Sequence, residues 1–169
     1  MTCASPNLLS NGGFRRGFTS WRGKGIHLAK NPLRPNDKSV RISPRGRLIQ
    51  TVNGKFNRTC AYYLYFRLLN ANPPTAKPAL FAVVSWLNSK KRVLRTTPLL
   101  VLPPRPAKLR FTSYFTIVPP PPVGTTAMSV LFLNGSAPLF IDFISVLAKN
   151  VGSPRAVQVT KPLLLSFPF

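Results

Sequence analysis

Two aspartates, one histidine and two cysteines are nearly the whole supply of acid–base, thiol and metal-binding side chains in 169 residues. Hydrolysis of a glycoside takes a pair of carboxylates held across the bond to be cut. Asp37 sits in the turn-like Pro35-Asn36-Asp37-Lys38 and Asp142 lies far away in an apolar run, so the spacing offers no such pair. His27 falls in a short apolar run without a Ser or Cys placed to use it as a base, and it reads as a strand residue. Cys3 and Cys60 are too few for a disulfide framework and too isolated for zinc. They read either as inert thiols or as a covalent link, with Cys3 on an N-terminal arm reaching Cys60 of a neighbouring copy. Gly12-Gly13 lacks the strand–loop–helix setting of a phosphate loop. The expectation is a non-enzyme holding no metal and no cofactor.

Charge points elsewhere. Twenty-four Lys and Arg face two Asp, a net charge of +22. Internal ion pairs cannot neutralise such a surface, which calls for anions or an anionic partner. The basic residues expected to make those contacts are Arg15, Arg16, Arg22, Lys24, Arg41, Arg45, Arg47, Lys90, Lys91 and Arg92. Aromatics interleave with them in Phe14-Arg15-Arg16-Gly17-Phe18 and Trp21-Arg22-Gly23-Lys24, a pattern suited to backbone-directed, non-specific nucleic-acid binding. An anionic cell-wall polymer or an acidic protein would satisfy the same charges. Trp21, Trp86, Tyr62, Tyr63, Tyr65 and Tyr114 would stack on sugar rings if exposed, but the apolar runs around them assign them to the core. From Phe111 to Ala148 there is no Lys or Arg at all, a neutral stretch read as core strands.

The elements that must position these residues are strands. Ile26–Lys30, Val40–Ser43, Arg47–Val52, Cys60–Leu68, Ala79–Leu87, Arg92–Leu102, Leu109–Val118, Met128–Leu133 and Leu139–Leu147 are β-type runs separated by Asn, Gly and Pro turn signals. Alternation in Val40-Arg41-Ile42 and Leu109-Arg110-Phe111 sends a basic side chain away from the apolar face. No apolar run approaches the ~20 residues of a membrane helix, so no membrane partner is expected. Met1-Thr2-Cys3-Ala4-Ser5-Pro6 lacks the basic and apolar regions of a signal peptide. The organisation expected is a flexible N-terminal arm over 1–6, one all-β domain over 7–148 and a C-terminal extension over 149–169. In that extension Arg155–Thr160 reads as an added strand before an apolar terminus that packs on its own domain or on a neighbour.

Five phrases occur in an order seen in one family. Asn7-Leu8-Leu9-Ser10-Asn11-Gly12-Gly13-Phe14 with Trp21 opens the set; Arg47-Leu48-Ile49-Gln50-Thr51-Val52, Ala61-Tyr62-Tyr63-Leu64-Tyr65-Phe66 and Pro119–Thr126 follow; Ile141-Asp142 with Ser145-Val146 closes it. In this the chain resembles the galactose-binding-like domains of many carbohydrate-binding modules, and it is similar to short surface proteins of endospore-forming bacteria. The resemblance implies a jelly-roll β-sandwich of about 8–10 antiparallel strands. It also implies a structural calcium, but the two acids that often hold it are replaced by Arg15 and Phe143, so calcium is not expected. Asp142 is left to pair with Arg15 or Arg16 or to accept backbone hydrogen bonds. The resulting expectation is a structural protein that self-assembles, as an oligomer or polymer, on a bacterial surface, that of the spore, reached without a signal peptide. The alternatives are a polyanion-binding module, a lectin-like carbohydrate-binding module and a cytoplasmic location.

Overall fold

The computed structural model describes Cys3 and residues 5–150, with eight antiparallel strands and no helix among them. The strands are β1 (Arg22–Asn31), β2 (Arg34–Asn53), β3 (Cys60–Leu69), β4 (Leu80–Leu87), β5 (Val93–Val101), β6 (Thr112–Val118), β7 (Ala127–Asn134) and β8 (Leu139–Asn150). They form one sheet in the order β5-β4-β7-β2-β8-β3-β6, with β1 also on β2. The sheet folds over on itself because β2 serves both halves. Its residues 47–53 pair with β7, whereas residues 40–42 pair with β8. The first layer is therefore β5-β4-β7-β2 and the second β6-β3-β8-β2, the arrangement of a jelly-roll sandwich.

The fold-over is a glycine corner. Arg45 has φ 58°, Gly25 has φ 63°, and the β1–β2 register slips between Lys24 and Ile26. A Cβ on Gly46 would lie 2.7 Å from the Gly25 carbonyl oxygen, so the two strands cross only because both side chains are absent. Ser43-Pro44-Arg45-Gly46 reads as a break between two short strands; it is instead a bend inside one strand of 20 residues.

Period-2 patterning fills the space between the layers. Tyr62, Leu64, Phe66 and Leu68 of β3 point inward, facing Ala82, Val84 and Trp86 of β4 and Met128, Val130 and Phe132 of β7 in one buried cluster. Trp86 packs edge-on against Tyr62 at 5.0 Å and Phe56 at 5.1 Å and donates its indole N–H to the Pro119 carbonyl. Each such side chain contributes about 2–3 kcal/mol on leaving water. Much of the neutral stretch is core as expected, yet it also leaves Phe115, Ile117, Leu133 and Phe143 exposed.

The opening and closing phrases are clasped together. Asn7 accepts the Val146 N–H at 2.9 Å and donates to the Ile144 carbonyl, and the Ile144 N–H donates to the Gly12 carbonyl at 3.0 Å. A Cβ on Gly12 would sit 1.9 Å from the Ile144 oxygen, so glycine is required there by close approach rather than by a turn. The segment expected to be a flexible arm is anchored where it is described: the Ser5 hydroxyl accepts the Ala148 N–H, and Cys3 is buried in a disulfide with Cys60 of the same chain. That bond replaces both the inert thiols and the link between copies. Leu109-Arg110-Phe111 lies outside β6 without the expected alternation, Leu109 being exposed. The C-terminal extension from residue 151 onward lies outside the described residues.

Candidate functional site

A recess of about 690 Å³ opens on the outer face of the second layer. Its floor follows from the alternation of β3: with Tyr62, Leu64 and Phe66 turned inward, Tyr65 and Arg67 must turn outward. The register then sets their neighbours, placing Phe115 of β6 opposite Tyr65 and Asp142 of β8 opposite Arg67. A bulge in the β3–β8 pairing coincides with Phe143 at φ 51°, a region bulky residues rarely occupy. The bulge swings the Phe143 ring outward. It lies edge-on to Tyr65 at 5.8 Å, and the Arg67 guanidinium stands 5.1 Å over it.

Arg67 and Asp142 form the one ion pair among the described residues, at 2.8 Å. Asp142 is 1% exposed; its other oxygen accepts the Phe143 N–H at 2.7 Å, and Asn31 approaches the shared one at 3.5 Å. Burial pushes the Asp142 carboxyl above its ordinary range, against the opposing pull of Arg67 and the Phe143 N–H. The expected partners Arg15 and Arg16 are not the ones it takes. Arg67 keeps its Nε buried without a hydrogen-bond partner, while its side chain as a whole remains 26% exposed at the recess.

Two loops raise the walls. In the first, Asn11 holds the chain in a tight excursion, donating to the Gly17 and Thr19 carbonyls and accepting the Arg16 N–H. Phe14 and Trp21 plug into the core, the Trp21 indole donating to the Asn11 carbonyl, which leaves Arg15 and Arg16 on the rim. The second wall is the β1–β2 hairpin, with Arg34 and Asp37; a side trough of about 450 Å³ continues past them to Lys38. Four arginines and two aspartates line the main recess, leaving a formal charge of 4 − 2 = +2 beside two aromatic rings.

The residues present do not fit a calcium ion. Where the resemblance places acids stand an exposed Arg15 and an outward Phe143, and both Asp142 oxygens already accept hydrogen bonds. Among the described residues no three His, Cys, Asp or Glu side chains gather. His27 is exposed on β1 opposite Arg41.

The ten basic residues expected to act together are dispersed. Arg15 and Arg16 reach the recess; Arg22 and Lys91 border a separate trough of about 560 Å³ on the first layer, beside Thr51 and Asn53. Lys24 faces Arg47 across the β1–β2 pair, Arg41 lies opposite His27 and Phe140, Arg45 is in the corner, and Lys90 and Arg92 flank the β4–β5 turn. Of the aromatics, Trp21, Trp86 and Tyr62 are buried and Tyr114 packs on Phe66. Tyr63 and Tyr65 are corrected to the outer face, because they alternate with core residues. Sequence reasoning missed Arg34, Arg67 and the outward role of Phe143. The alternation Tyr63-Leu64-Tyr65-Phe66-Arg67 carried the signal for Arg67.

No protein-family model and no curated protein sequence matches the chain. Solved structures do. The chain is similar to the carbohydrate-binding module TmCBM61, solved with β-1,4-galactotriose, at 16% identity and TM-score 0.61 over 86% of this chain and 100% of that one. It is similar to the CBM22-1 xylan-binding domain of Xyn10C from Paenibacillus barcinonensis at 12% identity and TM-score 0.61, over 87% of this chain and 97% of that one. It also matches the enzymatically active domain of tailspike protein 4 of bacteriophage CBA120 at 17% identity and TM-score 0.64, over 84% of this chain but only 21% of that one. At such identities the likeness shows the fold alone: this chain is a jelly-roll β-sandwich like those of these carbohydrate-binding modules.

Proposed function

We propose that the chain is a non-catalytic carbohydrate-binding module whose ligand is an anionic glycan, held in the arginine-lined recess. The observation that carries this is the Arg67 guanidinium, held by buried Asp142, part-exposed in the recess and standing between Phe143, Tyr65 and three more arginines. A planar guanidinium pairs in bidentate fashion with a carboxylate or sulfate, and an exposed aromatic ring takes the apolar face of a pyranose. A neutral sugar would use the rings and leave the excess positive charge unanswered. Solved neighbours named as binding galactotriose and xylan support sugar as the ligand class on this fold. The overall +22 draws a polyanion toward the surface.

We read the recess as non-catalytic: it brings together both aspartates, which the spacing does not suggest, but Asp142 is committed to Arg67 and to the Phe143 N–H. Self-assembly through a Cys3–Cys60 bond is set aside, because both thiols are used within one chain. A buried disulfide fits an oxidising setting, in keeping with display on a bacterial surface such as that of the spore. The test is affinity electrophoresis of the full chain in gels containing polygalacturonate, a sulfated galactan, neutral β-1,4-galactan or xylan. Retardation by the acidic polymers, weakened about tenfold by Arg34→Ala with Tyr65→Ala, supports the reading. Equal retardation by neutral polymers, or none by any, defeats it.

A further inference from the structure

The edge of the second layer is built unlike a solitary edge. Among the described residues β6 pairs with β3 on one side only, in a continuous seven-residue register without a bulge. Exposed edges are usually blunted by Lys, Pro, bulges or a short span. Thr112–Val118 has none of these: no proline, no charge, no irregularity. It also presents apolar side chains to water, with Phe115 66% and Ile117 53% exposed. The other outer edge differs, since β5 carries Arg95 and Pro98 within the strand.

We infer that β6 is a pairing edge for a second copy of this chain, the two β6 strands lying antiparallel about a twofold axis near Phe115. Charge selects this occupant. The chain as a whole carries +22, but from Phe111 to Ala148 there is no Lys or Arg. An acidic partner would seek the basic loops, whereas a neutral strand suits a neutral edge, and β6 itself is such a strand. The nearest cation in sequence before it is Arg110. In an antiparallel pair centred on Phe115 the two Arg110 residues stand ten positions apart, about 34 Å along the strands. That is several Debye lengths at physiological salt, so the pair escapes their repulsion. Pairing satisfies the outward backbone groups of both strands and sets Phe115 of one copy opposite Phe115 of the other, with Ile117 opposite Ser113 and diagonal to Phe115.

The consequence is functional. Edge pairing extends the sheet without covering its faces, so the outer faces of both copies join into one surface carrying two arginine recesses. A long glycan with repeated acidic groups then engages both, and its apparent affinity exceeds that of one recess by about 10²-fold or more through effective concentration. This last step rests on the glycan reading; the dimer itself does not.

Sedimentation velocity of the full chain over a concentration series, at low and high salt, tests the pairing. A monomer–dimer equilibrium that strengthens with salt is expected, the opposite of the salt response of glycan binding. The double variant Phe115→Lys with Ile117→Lys, both at exposed positions, is expected to be monomeric with an unchanged circular dichroism spectrum. Hydrogen exchange supplies an arm independent of substitution: in the unaltered chain, amides of residues 112–118 should gain protection as concentration rises. A strictly monomeric chain at every salt overturns the inference. So does a dimer that survives both lysines, or one formed without added protection in β6. A confirmed dimer that ignores acidic glycans would leave the pairing standing and remove the glycan reading.

Discussion

Reducing the Cys3–Cys60 bond is the perturbation whose size follows most directly from the structure. The two cysteines are 57 residues apart in sequence and both are buried in the core cluster. Closing a loop of that length removes roughly 14 cal/mol/K of entropy from the unfolded chain, ~4 kcal/mol at 25 °C. Domains of this size are commonly stable by 5–15 kcal/mol, so the bond accounts for a large share. It also ties the segment before Asn7 to β3, beside the seam where Asn7 and Gly12 grip β8. Urea unfolding followed by tryptophan fluorescence, with and without reductant, measures the effect, since Trp21 and Trp86 are both buried. With a urea slope near 2 kcal/mol per molar, the midpoint should fall by about 2 M on reduction. The Cys3→Ala, Cys60→Ala double variant should match the reduced protein and be indifferent to reductant. A midpoint that moves by less than ~0.5 M would show that the bond does not constrain the fold as argued.

Three further outcomes are expected. Gly12→Ala should destabilise by more than ~2 kcal/mol because its Cβ would meet the Ile144 backbone, whereas Gly13→Ala, with open space around it, should stay within about 0.5 kcal/mol in the same urea assay. Arg67→Met leaves Asp142 buried and unpaired and should cost about 3 kcal/mol at neutral pH; adding Asp142→Leu should recover most of it, and a double variant as unstable as the single would contradict the pairing. Acid should not unfold the protein in the usual way. Burial raises the Asp142 carboxyl, so the native state holds that proton more tightly than the unfolded chain does. The stability from this group is complete below its ordinary value of 3.8 and is lost as pH rises through the raised folded value. With only one other side-chain carboxylate, Asp37, stability should hold or increase between pH 7 and pH 3, and an acid transition in that interval would refute the assignment.

The parts of this structure that were legible in the sequence are those set by local pattern. Strand alternation exposes inward and outward faces within a few residues, and the Asn-Gly-Gly phrase and the Ile-Asp phrase are short enough to read directly. Their physical link, Gly12 lying on the backbone of Ile144, emerges only when the first and last segments are adjacent. The glycine corner misled because Pro44 and Gly46 are ordinarily breakers, and nothing local distinguishes a bend within a strand from its end. Arg67 could be placed on an outer face, but its pairing with Asp142 depends on a register between strands 75 residues apart. Phe143 reached the site through a bulge, which reverses the face expected from simple alternation. The Cys3–Cys60 link was readable as a candidate pair but not as a bond within one chain, since spacing alone does not say whether the arm reaches its own domain or a neighbour's. The basic residues were visible as a number and not as a place. Charge in sequence has no face until the loops that bear it are folded.

Chemical-shift mapping of the full chain with an oligogalacturonate tests the glycan reading most directly. The account predicts that perturbations, growing with ligand and weakening with salt, centre on Tyr65, Arg67, Asp142, Phe143 and the rim at Arg15 and Arg34. Perturbations centred instead on Phe81, Leu133 and Leu100 of the first layer, or equal shifts from a neutral galactan, would contradict it.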